Sequence, residues 1–423
     1  MSLPEQVVKT LEQFHIKDEV LREISEKMQD EFVQGLEGGS AKSSIAMLPS
    51  FVPALPDGSE VGKYIAIDMS GRNLRIMLLT LKGRNEEPEQ INHNYVFPVS
   101  VMTGTGDQLF TFIVNCLMKF LNEVNLLNAS LPVGFVFSYP CELLSIRSAR
   151  LLWWTKGFDI KDCLRKDVVK LLEEALELNM VSNKCKIEVV MNDTVGQLAA
   201  TAYMYGQECM IGVVIGYGYC KNQKFNAVAA GYNFDKMVVV TEWEEFGEKD
   251  ELANILTQFD RDIDETSVHK GKQMIDKLTG ALYLGDLVRR ILVQFILDGL
   301  LFSGQDEEGS FKICRRICDE LDAPSHCTVD YEIIHRVCHT VSQRSASIVA
   351  AAIAALLRHI NQSNIKVGVG GALVQFHPTY LSLLEKKLHD LAPMNIKWEL
   401  VPADEGSAKG AAIVAAVAEK MAL

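Results

Sequence analysis

The chain is predicted to be a two-lobed α/β protein with a cleft between its halves, and three observations predict it. Residues 64–68 (Tyr-Ile-Ala-Ile-Asp) and 210–215 (Met-Ile-Gly-Val-Val-Ile) are apolar strands, each running into a glycine-bearing turn. They stand about 150 residues apart, as the two halves of a duplicated unit would. A third unit of the same kind is Val367-Gly368-Val369-Gly370-Gly371, and at 423 residues the chain is too long for one ordinary core.

Residues 5–37 read as helices, because Leu21, Ile24, Met28, Phe32 and Leu36 recur at helical spacing and Gly38-Gly39 ends the pattern. A loop with Pro49, Pro53 and Pro56 follows, closed by Asp57-Gly58. Residues 64–68 and 74–79 then form two strands joined by a tight turn through Ser70-Gly71-Arg72-Asn73. An amphipathic helix is expected over 106–126, a strand over 133–137, and a helix rich in Leu and Glu over 164–178. Residues 187–191 form a short strand, and a helix over 195–205 follows it. Near the end, Asp404-Glu405-Gly406-Ser407 opens a closing helix over 410–420, whose N-terminus is suited to face an anion.

Composition narrows the class. Hydrophobic content of 48% and charged content of 23% are those of a soluble globular chain. A formal net charge of −13 and the lack of any Lys/Arg run argue against a nucleic-acid surface. No stretch is expected to reach the length of a membrane span. The start, Met1-Ser2-Leu3-Pro4-Glu5, has neither an apolar core nor an Arg-rich amphipathic pattern, and the ten cysteines have no framework spacing. Free thiols in the cytosol or the nucleus are therefore expected. Cys314, Cys318, His326, Cys327, His335, Cys338 and His339 form one cluster from which a zinc site can be drawn. Their spacing matches no common zinc module, and buried reduced cysteine is the plainer reading, so no directly bound metal is expected.

Asp193 carries the chemistry. It ends the apolar run 187–191 and precedes Thr194-Val195-Gly196. A carboxylate at the carboxyl end of a buried strand, in a sheet crevice, is placed to take a proton from a substrate hydroxyl. Single glycine pairs elsewhere are weak evidence, since most strand-to-helix turns need one.

Several segments, in one order, resemble the hexokinase family. They are Leu48-Pro49-Ser50-Phe51-Val52-Pro53 with Pro56-Asp57-Gly58; Phe137-Ser138-Tyr139-Pro140-Cys141; Trp154-Thr155-Lys156-Gly157-Phe158; Asn192-Asp193-Thr194-Val195-Gly196; and Glu242-Trp243 with Phe246-Gly247. Asp264 to Ser267, Lys277-Leu278, Tyr283-Leu284-Gly285, Leu287-Val288-Arg289, His377-Pro378 and Glu405-Gly406-Ser407 continue the pattern, over roughly residues 15–420. The resemblance implies a duplicated ribonuclease H-like (actin-like ATPase) fold, with a cleft between a small and a large domain. It places N-terminal helices and a lead-in loop at 1–61, packed on the large domain, and the small domain at 62–193. The large domain would be 194–405, and 406–423 a closing helix returning to the small one. It makes Asp193 the base for a sugar 6-hydroxyl, with Ser138, Thr155, Lys156, Asn192 and Glu242 holding the other hydroxyls. Asp276 stands where the family has a second, longer carboxylate. A hexose presents alternating donors and acceptors, which such carboxylates and amides can meet.

The phosphate segments depart from the family. The first loop, Asp-x-Gly-Gly-Thr-Asn in the family, is Asp68-Met69-Ser70-Gly71-Arg72-Asn73 here, with Arg75 kept. Ser70 crowds the backbone, and Arg72 replaces a hydroxyl with a long cation. The second, Gly-Thr-Gly-x-Asn-Ala, is Gly216-Tyr217-Gly218-Tyr219-Cys220-Lys221. The third, Gly370-Gly371-Ala372, lacks the acidic residue and serine of Asp-Gly-Ser, and Glu244 replaces a family glycine. Phosphoryl transfer depends on backbone positioning and charge stabilisation, and losing one preorganised donor typically costs about 10²- to 10³-fold in rate.

The expectation is therefore a hexose-binding protein with impaired or absent ATP-dependent phosphorylation. In this it is similar to the non-catalytic regulators found among fungal hexokinase-like proteins, which act through a protein partner. Asp68 keeps nucleotide binding open, with Mg2+ accompanying ATP. Two alternatives stand beside it: an active ATP-dependent hexose kinase whose loops have repacked, and a scaffold that binds neither ligand.

Overall fold

Six consecutive buried residues from Tyr64 to Met69 give strand β1 (Val61–Ser70) the two covered faces of a central strand. The computed structural model describes residues 3–70, 72–83, 86–154, 157–181, 184–215, 237–267, 269–302, 328–403 and 406–421. Strand β2 (Asn73–Lys82) returns antiparallel, with Ser70 opposite Asn73 and Asp68 opposite Arg75. Strand β3 (Glu89–Val96) is the polar edge beyond it, while β4 (Leu131–Phe137) and β5 (Cys185–Met191) add in parallel on the other side. The order is β3-β2-β1-β4-β5. A second, all-parallel sheet of β6 (Cys209–Val214), β7 (Asn364–Gly370) and β8 (Lys397–Pro402) has the order β8-β7-β6.

Helices cover both faces of the first sheet. Helix α3 (Gly106–Glu123), opened by a Thr105–Gln108 capping box, packs with α4 (Val168–Leu178) against Ile65, Val133 and Phe135. On the opposite face, the alanine-rich helix α7 (Gly406–Lys420) meets Ala66, Met77, Val136 and Val189. The N-terminal helices α1 (Glu5–Glu12) and α2 (Asp18–Gly38) join the core of the second sheet, where Val7, Leu21 and Phe32 share a cluster with Val367 and Ile353.

That cluster is organised on α6 (Thr328–Ile360), 33 residues long. Contrary to the sequence expectation, the segment Val329–Ile360 is long and apolar enough to cross a membrane, with a mean hydropathy of 1.4. Here 83% of that window is buried inside the fold, packed among α2, α1 and the second sheet. Its length answers to a wide core.

Local capping sets several boundaries differently from the periodicity. Asp167 accepts from the Val169 amide, so α4 begins at Val168 and not at 164. Helix α5 (Asp193–Tyr205) begins two residues early because Asn192 caps it, and α7 begins at Gly406. Leu36, predicted to lie on the apolar face of α2, is half exposed.

Helices α5 and α7 cross at two glycines. A Cβ on Gly410 would stand 1.8 Å from the Gly196 carbonyl oxygen, so only glycine allows the contact. The crossing holds the N-terminal turns of both helices beside the carboxyl ends of β6 and β7, which positions the site.

Candidate functional site

A cavity of about 640 Å³ opens where these elements converge. Its polar lining includes Ser138, Asn192, Asp193, Glu242, Glu244 and Asp276, and its apolar floor includes Val213, Val214 and Ile215 of the second sheet. Volume and lining are those of a small-molecule pocket.

Asp193 is the first residue of α5. The Asn192 Oδ1 accepts from the Thr194 amide at 2.9 Å and from the Thr194 hydroxyl at 2.7 Å, which fixes the turn that carries the carboxylate. Ser138 follows β4, and its amide donates to the Met69 carbonyl at 3.3 Å, tying it to the end of β1. Asp276 sits on the short helix Met274–Thr279. Its neighbour Lys277 turns the other way, donating to Asp264 at 2.5 Å and to the His269 carbonyl at 2.6 Å.

Glu242 adopts left-handed backbone angles, φ 54° and ψ 44°, just before the turn Trp243–Glu245. For a residue with a Cβ this strain is of order 1–3 kcal/mol, and it is held where the side chain enters the cavity. Glu242 and Glu244 both line the cavity, two residues apart at this turn. Burial pushes both carboxyls above the usual carboxylate range, and Glu244 and Asp193 push Glu242 further. Of the sequence-predicted sugar contacts, Ser138, Asn192, Asp193, Glu242 and Asp276 thus share one cavity. Thr155 and Lys156 lie outside the described residues. The flanking Trp154 is anchored by its indole N–H on the Ile160 carbonyl at 2.7 Å.

On the phosphate side, Asp68 is buried at the end of β1 and accepts from the Ser70 hydroxyl at 2.9 Å. Arg75 donates from Nε to Asn94 of β3 at 3.1 Å. Arg72 and Asn73 are exposed at the hairpin tip. The Arg72 guanidinium lies alongside Gly157, where a Cβ would be 3.6 Å from its terminal nitrogen. Gly71, Gly216, Tyr217 and Gly218 lie outside the described residues. Gly370 ends β7, and Gly371 follows it as the cap of the next short helix. The Ile215 amide donates to the Gly370 carbonyl at 2.8 Å, Gly371 has φ 98°, and Ala372 starts the next short helix.

One residue of this region was not singled out from the sequence. Gln197 is only 2% exposed, and its Nε2 has no hydrogen-bond partner. Its carboxamide lies against the backbone of two glycines. A Cβ on Gly406 would be 2.0 Å from Oε1, and one on Gly370 would be 2.5 Å away. Gln197 thus wedges between the carboxyl end of β7 and the first turn of α7. The signal was its spacing: Gln197 is four residues after Asp193, on the same helix face.

Cys314, Cys318, His326 and Cys327 lie outside the described residues, and no group of three or more His, Cys, Asp or Glu suited to a metal occurs among the described ones. His335 and His339 stack their rings one turn apart on α6, with centroids 6.3 Å apart.

Comparison with known proteins gives one consistent result. Residues 6–203 and 210–417 match the two family descriptions of hexokinase. A hexokinase of Brugia malayi is 38% identical over 97% of this chain and 76% of its own length. A hexokinase of Schistosoma mansoni is 34% identical over 97% of both chains. The human hexokinase HKDC1 is 34% identical over 98% of this chain, which spans about half (48%) of that protein. Among solved structures, the Schistosoma mansoni hexokinase complexed with glucose aligns over 98% of both chains, with 32% identity and a TM-score of 0.85.

Proposed function

The chain belongs to the hexokinase family, and on that premise we propose that it binds a hexose in the cleft and phosphorylates the 6-hydroxyl poorly. The observation that carries the reading is a contrast within one cleft. The carboxylate and hydroxyl partners suited to a sugar share a cavity, while the crevice suited to phosphate holds a buried glutamine.

On the sugar side, this chain's residues have clear tasks. Ser138, Asn192 and Glu242 offer donors and acceptors to ring hydroxyls, and Asp276 lines the same cavity. Asp193 accepts the proton of the hydroxyl aimed at it, leaving the oxygen nucleophilic. Its position at the crossing of α5 and α7 lets a closing motion exclude water from that proton transfer.

In this family ATP with Mg2+ supplies the phosphoryl group. The residues present fit that group poorly. Gln197 fills the space between Gly370 and Gly406, Arg72 projects from the hairpin tip, and Ala372 offers no hydroxyl.

A second reading, an active ATP-dependent hexokinase, is favoured by the full-length likeness to proteins named hexokinase and by the retained Asp68, Arg75 and Ser407. Calorimetric titration of the full chain with glucose, mannose and fructose, and separately with MgATP, tests the proposal. Saturable hexose binding with weak or undetectable MgATP binding is expected. Micromolar MgATP binding would favour the second reading, and absence of hexose binding would reject both.

A further inference from the structure

A second cavity, of about 250 Å³, lies between the N-terminal segment and α6 and shares no lining residue with the main one. It is smaller than the roughly 300–1,000 Å³ of pockets for drug-sized ligands, which limits an occupant to a small molecule. Part of its lining is apolar: Leu3, Val8 and Leu11 at α1, then Phe14 and Ile16 on the way into α2. Another part is a polar stripe of α6, where Arg336, Thr340, Gln343, Arg344 and Ser347 recur three or four residues apart and so share a face. Glu12 and Lys387 add charge, and His15 completes the titratable lining.

Two of the cations are committed to other groups. Arg344 grips both carboxylate oxygens of Asp260 at 2.9 Å, donates to the Ile255 carbonyl at 2.9 Å and lies over the Phe14 ring. Lys387, from the helix Tyr380–Leu391, pairs with Asp18 at 2.7 Å and with Asp390 at 3.2 Å. The Ser347 hydroxyl turns back to the Gln343 carbonyl at 2.8 Å. Arg336 and Glu12 are different. Both are exposed and line the cavity, yet among the described residues neither forms an ion pair, with the other or with a third group. The side chains of Thr340 and Gln343 are also without a partner among the described residues.

Opposite charges that share a hollow without meeting leave room for a molecule that carries both. An ammonium suits Glu12, whose carboxylate only accepts, and a carboxylate suits Arg336 with the donors of Thr340 and Gln343 beside it. The apolar lining suits an aliphatic or aromatic body, which it removes from water. We propose that this cavity binds a free apolar amino acid, its α-carboxylate on Arg336 and its α-ammonium on Glu12. The site is independent of the hexose reading, because the two cavities have no lining residue in common.

Calorimetric titration of the full chain with L-leucine tests the site, beside isocaproate, which lacks the ammonium, and isoamylamine, which lacks the carboxylate. Leucine is expected to bind saturably and about tenfold tighter than either, since each analogue forfeits one charged contact. Arg336→Gln should weaken leucine about tenfold and leave isoamylamine unchanged. Glu12→Gln should weaken leucine by a like factor and leave isocaproate unchanged or tighter. Both side chains are exposed, so the variants keep the fold. Equal affinity for leucine and isocaproate would overturn the two-charge recognition. Leucine affinity unchanged in both variants would place the binding elsewhere and overturn the site. No binding of leucine or phenylalanine at millimolar concentration, by calorimetry or by melting shift, would mean that the cavity holds only water and would overturn the proposal.

Discussion

Replacing Gln197 by alanine removes one methylene and a carboxamide from the crevice between β7 and α7. Losing the buried methylene costs about 0.8 kcal/mol. The space vacated adds about 1–2 kcal/mol if it does not collapse. Against this, the enclosed Nε2 lacks a partner, and removing an unsatisfied buried donor returns about 1–3 kcal/mol. The terms nearly cancel, so Gln197→Ala should change unfolding stability by less than about 2 kcal/mol, below the 2–5 kcal/mol of an ordinary large core truncation. The functional effect is expected to be larger. With the wedge gone, an anionic oxygen can approach the first turn of α7, and MgATP or MgADP affinity should rise about tenfold, or 1.4 kcal/mol. Urea unfolding and nucleotide titration of the same two proteins provide both numbers. A stability loss above about 3 kcal/mol with unchanged nucleotide affinity would show that Gln197 is a packed core residue and not an obstruction.

Further outcomes follow from the same geometry. Asp193→Asn should lower whatever hexose phosphorylation the chain shows by about 10²- to 10⁴-fold, with glucose affinity by calorimetry changed far less, as loss of a base and not of a binding contact requires. An unchanged rate would place the activity elsewhere. Gly410→Ala sets a Cβ 1.8 Å from the Gly196 oxygen, where ordinary contact begins near 3.4 Å, so the two backbones must separate by about 1.6 Å. A destabilisation of about 1–3 kcal/mol or more is expected by urea unfolding. Normal stability would mean that the helices do not touch there.

Much of the architecture was visible in the residues because buried parallel strands are short apolar runs, of which β1, β6 and β7 also run into glycine-bearing turns. This made β1, β4, β5, β6 and β7 readable, and Asp193 with them. The helix α6 was less legible. Its N-terminal part mixes Cys and His with charged residues, and its C-terminal part is alanine on every face, so no amphipathic period marks it. Boundaries were set by side-chain caps at Asn192 and Asp167, which periodicity ignores. Within the site, residue types pointed to the sugar contacts, since carboxylates and amides announce their chemistry. The wedge at Gln197 depends on which neighbours the fold brings up, Gly370 and Gly406.

The most direct test of the central claim is the turnover number of the purified full chain with saturating glucose and MgATP, read by coupled ADP release. A proton acceptor in place beside an obstructed phosphate crevice predicts a value at least about a hundredfold below the common enzyme range of roughly 1–10³ per second. A turnover number inside that range would contradict it.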